Sequence, residues 1–413
     1  MKFGQLSNVF VSFAWKQLTA VEADATASNG HEFNSSNSLR AILGETTRRY
    51  NQGTGIPTRF LHFSDQDEAP IEASGFLSWY DSRKRVSTRS AEWRLYYTDN
   101  PVIGRKGRAI SGDFMVVAFT ADNQAATVFL APAGSTCESQ LRWLFGIKEG
   151  EQLSFGMAEV GNEQVVDMTR ARILEAAGIM VLAEDETLLE KMLKKFGGKF
   201  PTTATFGKFV RSSLTKIRAE DDADLALSEW MEREEFAFRV LEKHIVEEKL
   251  KSGFADVDDF VKCSLSVQNR RKSRAGLAFE NHLSEVFLAH NLLFERTAKV
   301  ENNARPDFLF PGASQYFNDD FPVELLTLLG AKTSCKDRWR QVLAEGPKVK
   351  EKHLVTLEPA ISSNQLSEMR EHKLQLVVPV ALHATYPASE RNGIWDVATF
   401  IDSVKSKQLK ARI

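Results

Sequence analysis

The stretch VELLTLLGAKTSCKDRWRQVLAE, residues 323–345, decides the fold of the C-terminal half of the chain. It begins with an apolar run that is typical of a buried strand, and after Lys332 it continues into a segment with many charges of both signs. A lysine at the end of a buried strand is costly to desolvate unless it is paired or lies at the sheet edge. The stretch therefore predicts a strand, a turn and a helix, with a charged group at the end of the strand.

Further strands and helices alternate around this stretch. The segments with strand-like composition are PDFLF (306–310), PVELLTLL (322–329), HLVTL (353–357) and LQLVVPV (374–380). Helical patterns lie between them in KDRWRQVLAEG and SSNQLSEMREH, and before them in residues 229–251 and 273–294. This alternation is typical of an α/β domain.

The first part of the chain has a different sequence pattern, which is typical of short β-strands. FMVVAFT (114–120) and TVFLAP (127–132) flank the polar ADNQAA and predict a β-hairpin, while GFLSWYDS (75–82) and AEWRLYYT (91–98) predict two more strands. Short strands with polar loops indicate a barrel or sandwich. A helix near residue 190, followed by Gly197, Gly198 and PTTATFG with its own proline and glycine, suggests a linker region at 181–225.

Composition sets outer limits on the function. The chain has 413 residues and a net charge of −2, so nucleic-acid binding would have to come from local basic patches. The three cysteines, Cys137, Cys263 and Cys335, are odd in number and far apart, which argues against a disulfide framework or a zinc site. The N-terminus lacks the apolar core of a signal peptide, and no apolar run is long enough to span a membrane, so we expect a cytoplasmic protein.

Three separated residues carry the candidate chemistry. Asp307 follows a proline at the start of a strand, Lys332 ends a neighbouring strand, and Glu345 lies on the helix after it. If they converge, the two carboxylates can hold a hard divalent cation such as Mg²⁺, and the lysine can lie beside an attacking water or a phosphate oxygen. That set suits metal-assisted hydrolysis of a phosphodiester. Taken alone, Asp307 fits an ordinary turn at the start of a strand at least as well.

The segment PDFLFPGASQYFNDDFPVELLTLLGAKTSCKDRWRQVLAE, with NRRKSRAG (269–276) and LQLVVPVALHATYP (374–387), resembles the EcoRII-like type II (IIE) restriction endonucleases of the PD-(D/E)xK nuclease superfamily. The usual motif of that superfamily has an acidic residue two positions before the lysine, where this chain has Gly330. The EcoRII-like subgroup takes this carboxylate from the next helix, which matches Glu345. The resemblance thus implies catalytic roles for Asp307, Lys332 and Glu345, with Asp307 and Glu345 as metal ligands.

The resemblance extends, more thinly, over the N-terminal third, in NGHE (29–32), YDSRKRVSTR (80–89) and the AFT hairpin. It implies a two-domain α+β chain. Residues 1–180 would form an N-terminal β-pseudobarrel that binds effector DNA. Residues 226–413 would form a C-terminal α/β restriction-endonuclease-like nuclease domain.

Further site residues follow from the resemblance. Glu280 matches another acidic position of the active site, although a solvated helical glutamate is an equal alternative. Lys336, Asp337 and Arg338 match the triplet that reads consecutive C:G pairs, and arginine does pair with guanine while a carboxylate accepts from cytosine. Two cations in a first helical turn oppose the helix dipole, which also favours a DNA role.

Several basic residues are candidates for contact with the DNA backbone. Arg271, in a cluster ahead of the Glu280 helix, matches a DNA-proximal arginine of the family. His31, Arg83 and Arg89 resemble the effector-DNA surface, with an ordinary basic loop as the alternative. Trp339 and Val342 are expected to face the core.

One feature departs from the family. Relatives that flip the central base stack it on an aromatic residue beside an arginine, on a helix near residues 229–240. The corresponding positions here hold Met231 and Glu235, so base flipping by that pair is not supported. Trp230 is close by and is expected in the core.

The expected function is Mg²⁺-dependent cleavage of both strands of a short CC…GG palindrome, similar to CCWGG, by a homodimer. A second site bound by the N-terminal domain would relieve autoinhibition. Two alternatives remain: a non-catalytic DNA-binding regulator, or a methylation-dependent or repair nuclease of the same fold.

Overall fold

The computed structural model describes residues 3–23, 31–33, 37–84, 90–148, 155–161, 165–181, 185–335 and 338–412. Its strands before residue 170 are β1 (Gly4–Gln5), β2 (Ser12–Gln17), β3 (Glu32–Phe33), β4 (Ile56–His62), β5 (Ile71–Asp81), β6 (Trp93–Tyr97), β7 (Phe114–Phe119), β8 (Ala126–Ala131), β9 (Gly156–Glu159) and β10 (Val165–Val166). The helices of this half are α1 (Ala20–Ala23), α2 (Asn37–Leu43), α3 (Thr136–Phe145) and α4 (Met168–Ala176).

The first half is built on a sheet with the strand order β3-β6-β5-β4-β8-β7-β2-β9. β7 and β8 pair antiparallel with Phe119 opposite Ala126, so the predicted hairpin is confirmed. β4 and β8 are parallel, whereas the other neighbours in this sheet are antiparallel. Every residue of β7 and β8 is buried, because helices and loops cover both faces of these central strands.

Two helices, α5 (Glu186–Phe196) and α6 (Thr203–Ser213), follow the first sheet. The stretch PTTATFG is therefore helical rather than extended and forms the start of α6, where the Thr202 side chain caps the helix by accepting from the Thr205 N–H. Met192 and Phe206 of these helices are buried in a hydrophobic core that also contains residues of both sheets. Gly197 ends α5 and Pro201 directly precedes the cap of α6, whereas Gly207 lies inside α6.

The second half contains a sheet with the order β11-β12-β13-β14-β15. Its strands are β11 (Glu295–Arg296), β12 (Phe308–Phe310), β13 (Thr327–Lys332), β14 (Lys352–Thr356) and β15 (Leu374–Val377). β13, β14 and β15 are parallel, while β11, β12 and β13 are antiparallel. The predicted strand at 322–329 begins later, because residues 323–325 form a 3₁₀ turn, and it ends on Lys332.

The helices of this half are α7 (Ala223–Ser252), α8 (Val257–Ala289), α9 (Ala313–Tyr316), α10 (Trp339–Ala344), α11 (Ser363–Glu371), α12 (Val380–His383) and α13 (Val397–Ala411). α8 is longer than its apolar pattern predicted, since Asp256 caps it at the N-terminus. The basic cluster NRRKSRAG therefore lies inside α8 and not ahead of it. Within the described residues, no helix is long and apolar enough to cross a membrane.

α10 packs directly on β13. Trp339 and Val342 are fully buried, as predicted. A Cβ atom at Gly330 would lie 2.5 Å from Val342 Cγ2, which is too close for any side chain. The strand therefore has no room for the acidic residue that the usual motif places two positions before the lysine.

Candidate active site

Asp307 and Lys332 meet at the ends of two neighbouring strands. Asp307 immediately precedes β12, and the antiparallel register of β12 and β13 brings it beside the end of β13. Its Oδ2 accepts hydrogen bonds from the Ala331 N–H and from Lys332 Nζ, both at 2.7 Å. Both side chains are largely buried, so the pair is shielded from bulk water.

Glu345 joins this pair from the far end of α10. It is the residue that ends the helix and has an extended backbone, so it stands at the helix terminus rather than within the helix. Burial and the nearby charge of Asp307 raise the pKa of Glu345 to about 7, against the opposite effect of Lys332 and Lys352. The predicted set of Asp307, Lys332 and Glu345 is thus brought together by β12, β13 and α10.

Lys352, which sequence reasoning did not single out, is a neighbour of this set. It starts β14, is buried, and donates from Nζ to the Leu343 carbonyl at 2.5 Å. Burial lowers the pKa of Lys352, while the charge of Glu345 raises it. No motif in the sequence marks Lys352 as part of the site, because a lysine at the start of a strand is not unusual.

The two carboxylates fit a hard divalent cation. Glu345 Oε2 is buried and has no hydrogen-bond partner, which leaves one carboxylate oxygen available as a ligand. Carboxylate oxygens are the protein ligands that Mg²⁺ prefers, and such sites commonly use only one or two of them. In the described part of the chain, no group of three or more His, Cys, Asp or Glu side chains could hold a metal ion. The protein would therefore contribute Asp307 and Glu345.

Glu280 lies near this site in an ion pair. Its Oε2 accepts from Arg296 Nη2 at 2.8 Å, and Arg296 on β11 is paired with Phe308, the residue after Asp307. A second nitrogen of Arg296 donates to Asn281. Glu280 is therefore held one strand away from Asp307, with its carboxylate occupied by an arginine.

The predicted base-reading triplet is only partly visible. Lys336 and Asp337 lie outside the described residues, whereas Arg338 directly precedes α10. Arg338 lines a cavity of about 540 Å³ together with Thr333 and Ser334. The same cavity is lined from the first half by the segment 65–68, which carries three acidic residues. Arg338, which is predicted to read a base, thus lines the same cavity as an acidic segment of the first half.

Arg271 lines this cavity too, but its charge is neutralised inside the protein. It donates to Glu242 on α7 at 2.6 Å and to Glu175 on α4 at 2.7 Å. Glu175 also accepts from Arg239 at 2.5 Å. In this structure Arg271 is therefore paired with carboxylates of both halves, and its contact with the DNA backbone stays a prediction.

Arg274, one turn along α8, is buried between Glu234 and Glu235. Burial opposes ionisation of Glu235, yet the charges of Arg274, Arg239 and Arg172 lower its pKa to about 2. Glutamates on α7 and arginines on α8 recur at helical spacing, so charge periodicity was the signal that could have revealed this network.

The positions considered for base flipping are internal. Trp230 is buried, as expected, and Met231 is buried beside it. Glu235, where the family's aromatic residue would fall, is engaged with Arg239 and Arg274. These side chains hold the helix packing of α7 and α8 together.

Two of the three predicted effector-binding residues lie within the described part of the chain. His31 is buried, with its ring 5.5 Å from that of Tyr97, so it is not part of an open basic surface. Arg83 is half-exposed and paired with Glu92 at 2.5 Å. Arg89 lies outside the described residues.

Comparisons with known proteins agree on one family. A family model described as "EcoRII C terminal" matches residues 238–401. The type II restriction enzyme EcoRII from Escherichia coli is 41% identical over 357 residues, which is 84% of this chain and 82% of that protein.

Two of the solved structures that match part of the chain are described as complexes with DNA. Metal-depleted Ecl18kI with uncleaved, modified DNA is 17% identical, with 55% of this chain and 85% of that chain covered and a TM-score of 0.45. The PspGI–substrate DNA complex is 16% identical, with 55% and 98% covered and a TM-score of 0.43.

Proposed function

This chain belongs to the family of the type II restriction enzyme EcoRII and is a type II site-specific deoxyribonuclease. From this we propose which DNA it cuts, which cofactor it uses and how its activity is regulated. The enzyme cuts both strands of a short duplex palindrome of the CC…GG type, similar to CCWGG, with Mg²⁺. The observation that carries the proposal is the meeting of Asp307, Lys332 and Glu345 at one edge of the sheet.

In this mechanism Asp307 and Glu345 hold the cation. When bound there, the cation acts as a Lewis acid and lowers the pKa of an attacking water. Lys332, whose Nζ lies 2.7 Å from Asp307, places a fixed positive charge where negative charge develops on the phosphate. Because Asp307 also accepts from the Ala331 N–H, its orientation is set by the backbone of the same strand that carries the lysine. The products have 5′-phosphate ends.

Sequence reading falls to the turn between β13 and α10. An arginine such as Arg338 can pair with guanine O6 and N7, and an aspartate such as Asp337 can accept from cytosine N4, with Lys336 next to them in the sequence. Since the turn starts one residue after Lys332, reading and cutting are linked by a few backbone bonds. A palindrome is matched by a homodimer in which each copy reads one half-site.

Control comes from the N-terminal half. In this proposal residues 1–180 bind a second copy of the site as effector, through a surface that includes His31, Arg83 and Arg89, and residues 181–225 connect them to the nuclease domain, 226–413. Two observations support autoinhibition: the acidic segment 65–68 lines the same cavity as Arg338, and Glu175 accepts a hydrogen bond from Arg271. Effector binding would have to release these contacts, and would also have to expose His31, which is buried here.

An Asp307→Ala variant tests the proposal. We expect it to bind a CC…GG duplex with Mg²⁺ present but to cut it at least about 100-fold more slowly, because a metal ligand and the partner of Lys332 are lost. Cleavage and gel-shift assays on the same duplex measure both effects. Undiminished cleavage would rule out the assigned site, and binding without any cleavage by the unaltered enzyme would favour a regulator.

A second assay separates nucleases of the same fold. The unaltered enzyme is given matched CC…GG duplexes that differ only in cytosine methylation. A restriction enzyme of the proposed type cuts the unmethylated duplex. Preference for the methylated duplex would instead indicate a methylation-dependent enzyme.

A further inference from the structure

The turn that follows Lys332 is anchored by a buried carboxylate outside the catalytic set. Glu358 lies just after β14, and its Oε2 accepts a hydrogen bond from the Cys335 N–H at 2.9 Å. Cys335 is fully buried and Glu358 is 8% exposed, so this contact is closed to solvent. A charged acceptor in a buried place makes a stronger hydrogen bond than a neutral one.

The backbone of Glu358 is held in place by two hydrogen bonds. Its backbone N–H donates to Thr356 Oγ1 at 3.0 Å, and its carbonyl accepts from the Tyr386 hydroxyl at 2.5 Å. Thr356 is the parallel-register partner of Lys332 and also bonds the Cys335 side chain. The anchor is therefore built on the strand beside the catalytic one, and both ends of the turn are tied to it.

We propose that Glu358 is a positioning residue. It sets where the residues that read the bases lie relative to Lys332, which acts at the cleaved phosphate. The inference rests on the proposed function, in which Lys332 acts at the phosphate and Lys336, Asp337 and Arg338 read the bases. Only Thr333, Ser334 and Cys335 separate these two groups, so the backbone position of Cys335 fixes the distance between them. Glu358 lines the same cavity as Thr333, Ser334 and Arg338, and we assign its effect on DNA to the hydrogen bond that it accepts from the Cys335 N–H.

The second oxygen of the same carboxylate contacts the first half of the chain. Gln140 on α3 donates from Nε2 to Glu358 Oε1 and also lies 3.4 Å from the Pro359 carbonyl. The two contacts of Glu358 can therefore be separated by mutation. Removing Gln140 deletes the contact with α3 and leaves the bond to Cys335 in place.

The test is made on the full-length enzyme. Each variant is assayed with Mg²⁺ on a CC…GG duplex and on a duplex with one outer C:G pair replaced. The specificity ratio is kcat/KM on the correct duplex divided by kcat/KM on the altered one. We expect Glu358→Ala to lose roughly 10- to 100-fold in kcat/KM on the correct duplex and much less on the altered one. Its specificity ratio should therefore collapse, whereas Glu358→Gln, which retains an oxygen acceptor, should keep most of the ratio.

Two control variants define the cause. Gln140→Ala should keep the specificity ratio of the unaltered enzyme, and so should Glu371→Ala, which removes an exposed carboxylate at the end of α11. A Glu358→Ala enzyme that melts at a lower temperature but keeps its ratio would overturn the inference, because a purely structural role changes the active fraction and not the ratio. Loss of the ratio in Gln140→Ala would also overturn it, since the contact with α3 would then be responsible.

Glu358→Asp is the substitute if Glu358→Ala does not fold. It keeps the charge but withdraws the oxygens by one methylene, and an intermediate ratio is expected; an unchanged ratio would reject the inference. A different result would show that the proposed function itself is wrong: the unaltered enzyme would then not distinguish the two duplexes.

Discussion

At the scale of the residue, the surroundings of Glu345 change its acid–base chemistry. It carries a pKa of about 7, because it is buried and faces the charge of Asp307. A free carboxylic acid has a pKa near 4.3, so Glu345 retains its proton at mildly acid pH, where exposed glutamates have lost theirs. The carboxylate must lose that proton before it can bind a cation.

The pH dependence of the metal requirement follows from this. We expect the Mg²⁺ concentration that gives half-maximal cleavage to rise up to about tenfold for each pH unit below about 7, and to level off above it. The sign follows from competition between proton and cation for the same carboxylate. Mg²⁺ titrations of cleavage at several pH values measure it, and a requirement that is flat from about pH 6 to 8 would contradict the assignment.

At the scale of the element, the contact of α10 with β13 explains why the second carboxylate comes from a helix. Gly330 permits Val342 to pack against the strand backbone. A Cβ atom placed on Gly330 would lie only 2.5 Å from Val342 Cγ2. A strand position closed by a helix cannot present a carboxylate to a metal. Glu345, at the end of that same helix, lies beside Asp307 instead.

The packing prediction is a double-mutant cycle. Gly330→Ala should lower the free energy of unfolding by about 1–3 kcal/mol because the added methyl overlaps Val342. Val342→Ala opens a cavity and is destabilising on its own. The double variant should be more stable than the sum of the two costs by roughly 0.5–3 kcal/mol, as measured by denaturant unfolding. If the two losses in the free energy of unfolding simply add, the methyl group of Gly330→Ala does not overlap Val342.

At the scale of the whole molecule, the two halves are joined by packing as well as by charge. One hydrophobic core includes residues of both sheets and of α5 to α8, and Phe3 contacts Phe236 edge to face at 5.6 Å. The ion pairs of Glu175 with Arg239 and Arg271 lie beside this core. Release of the first half would therefore expose apolar surface, and the charged contacts are the part that a point mutation can weaken selectively.

Glu175→Gln tests that contact. It frees Arg271 from one of its two carboxylates, so we expect at least about a fivefold gain in cleavage of single-site DNA with little change on two-site DNA. Glu220→Gln, which alters an exposed glutamate beside Arg218, is the matched control. If Glu175→Gln and the control behave alike on single-site DNA, the contact does not contribute to autoinhibition.

The sequence by itself determined the local elements and the ordered set at their ends. Apolar alternation predicted β7, β8 and β12 to β15, and Lys332 does end β13. The same patterns predicted the burial of Trp339, Val342 and Trp230. Such predictions succeed because periodicity records which face of an element is buried, and this is a local property.

Only the tertiary structure decided which charges are free. Arg271 looked like part of an open basic cluster, yet its partner Glu175 is 96 residues away in the sequence. His31 resembles a residue of the effector-DNA surface and is buried beside Tyr97, and Glu358 gave no signal in the sequence. The physical reason is that a charge is neutralised by groups brought near it in space, and no local pattern specifies which distant element supplies them.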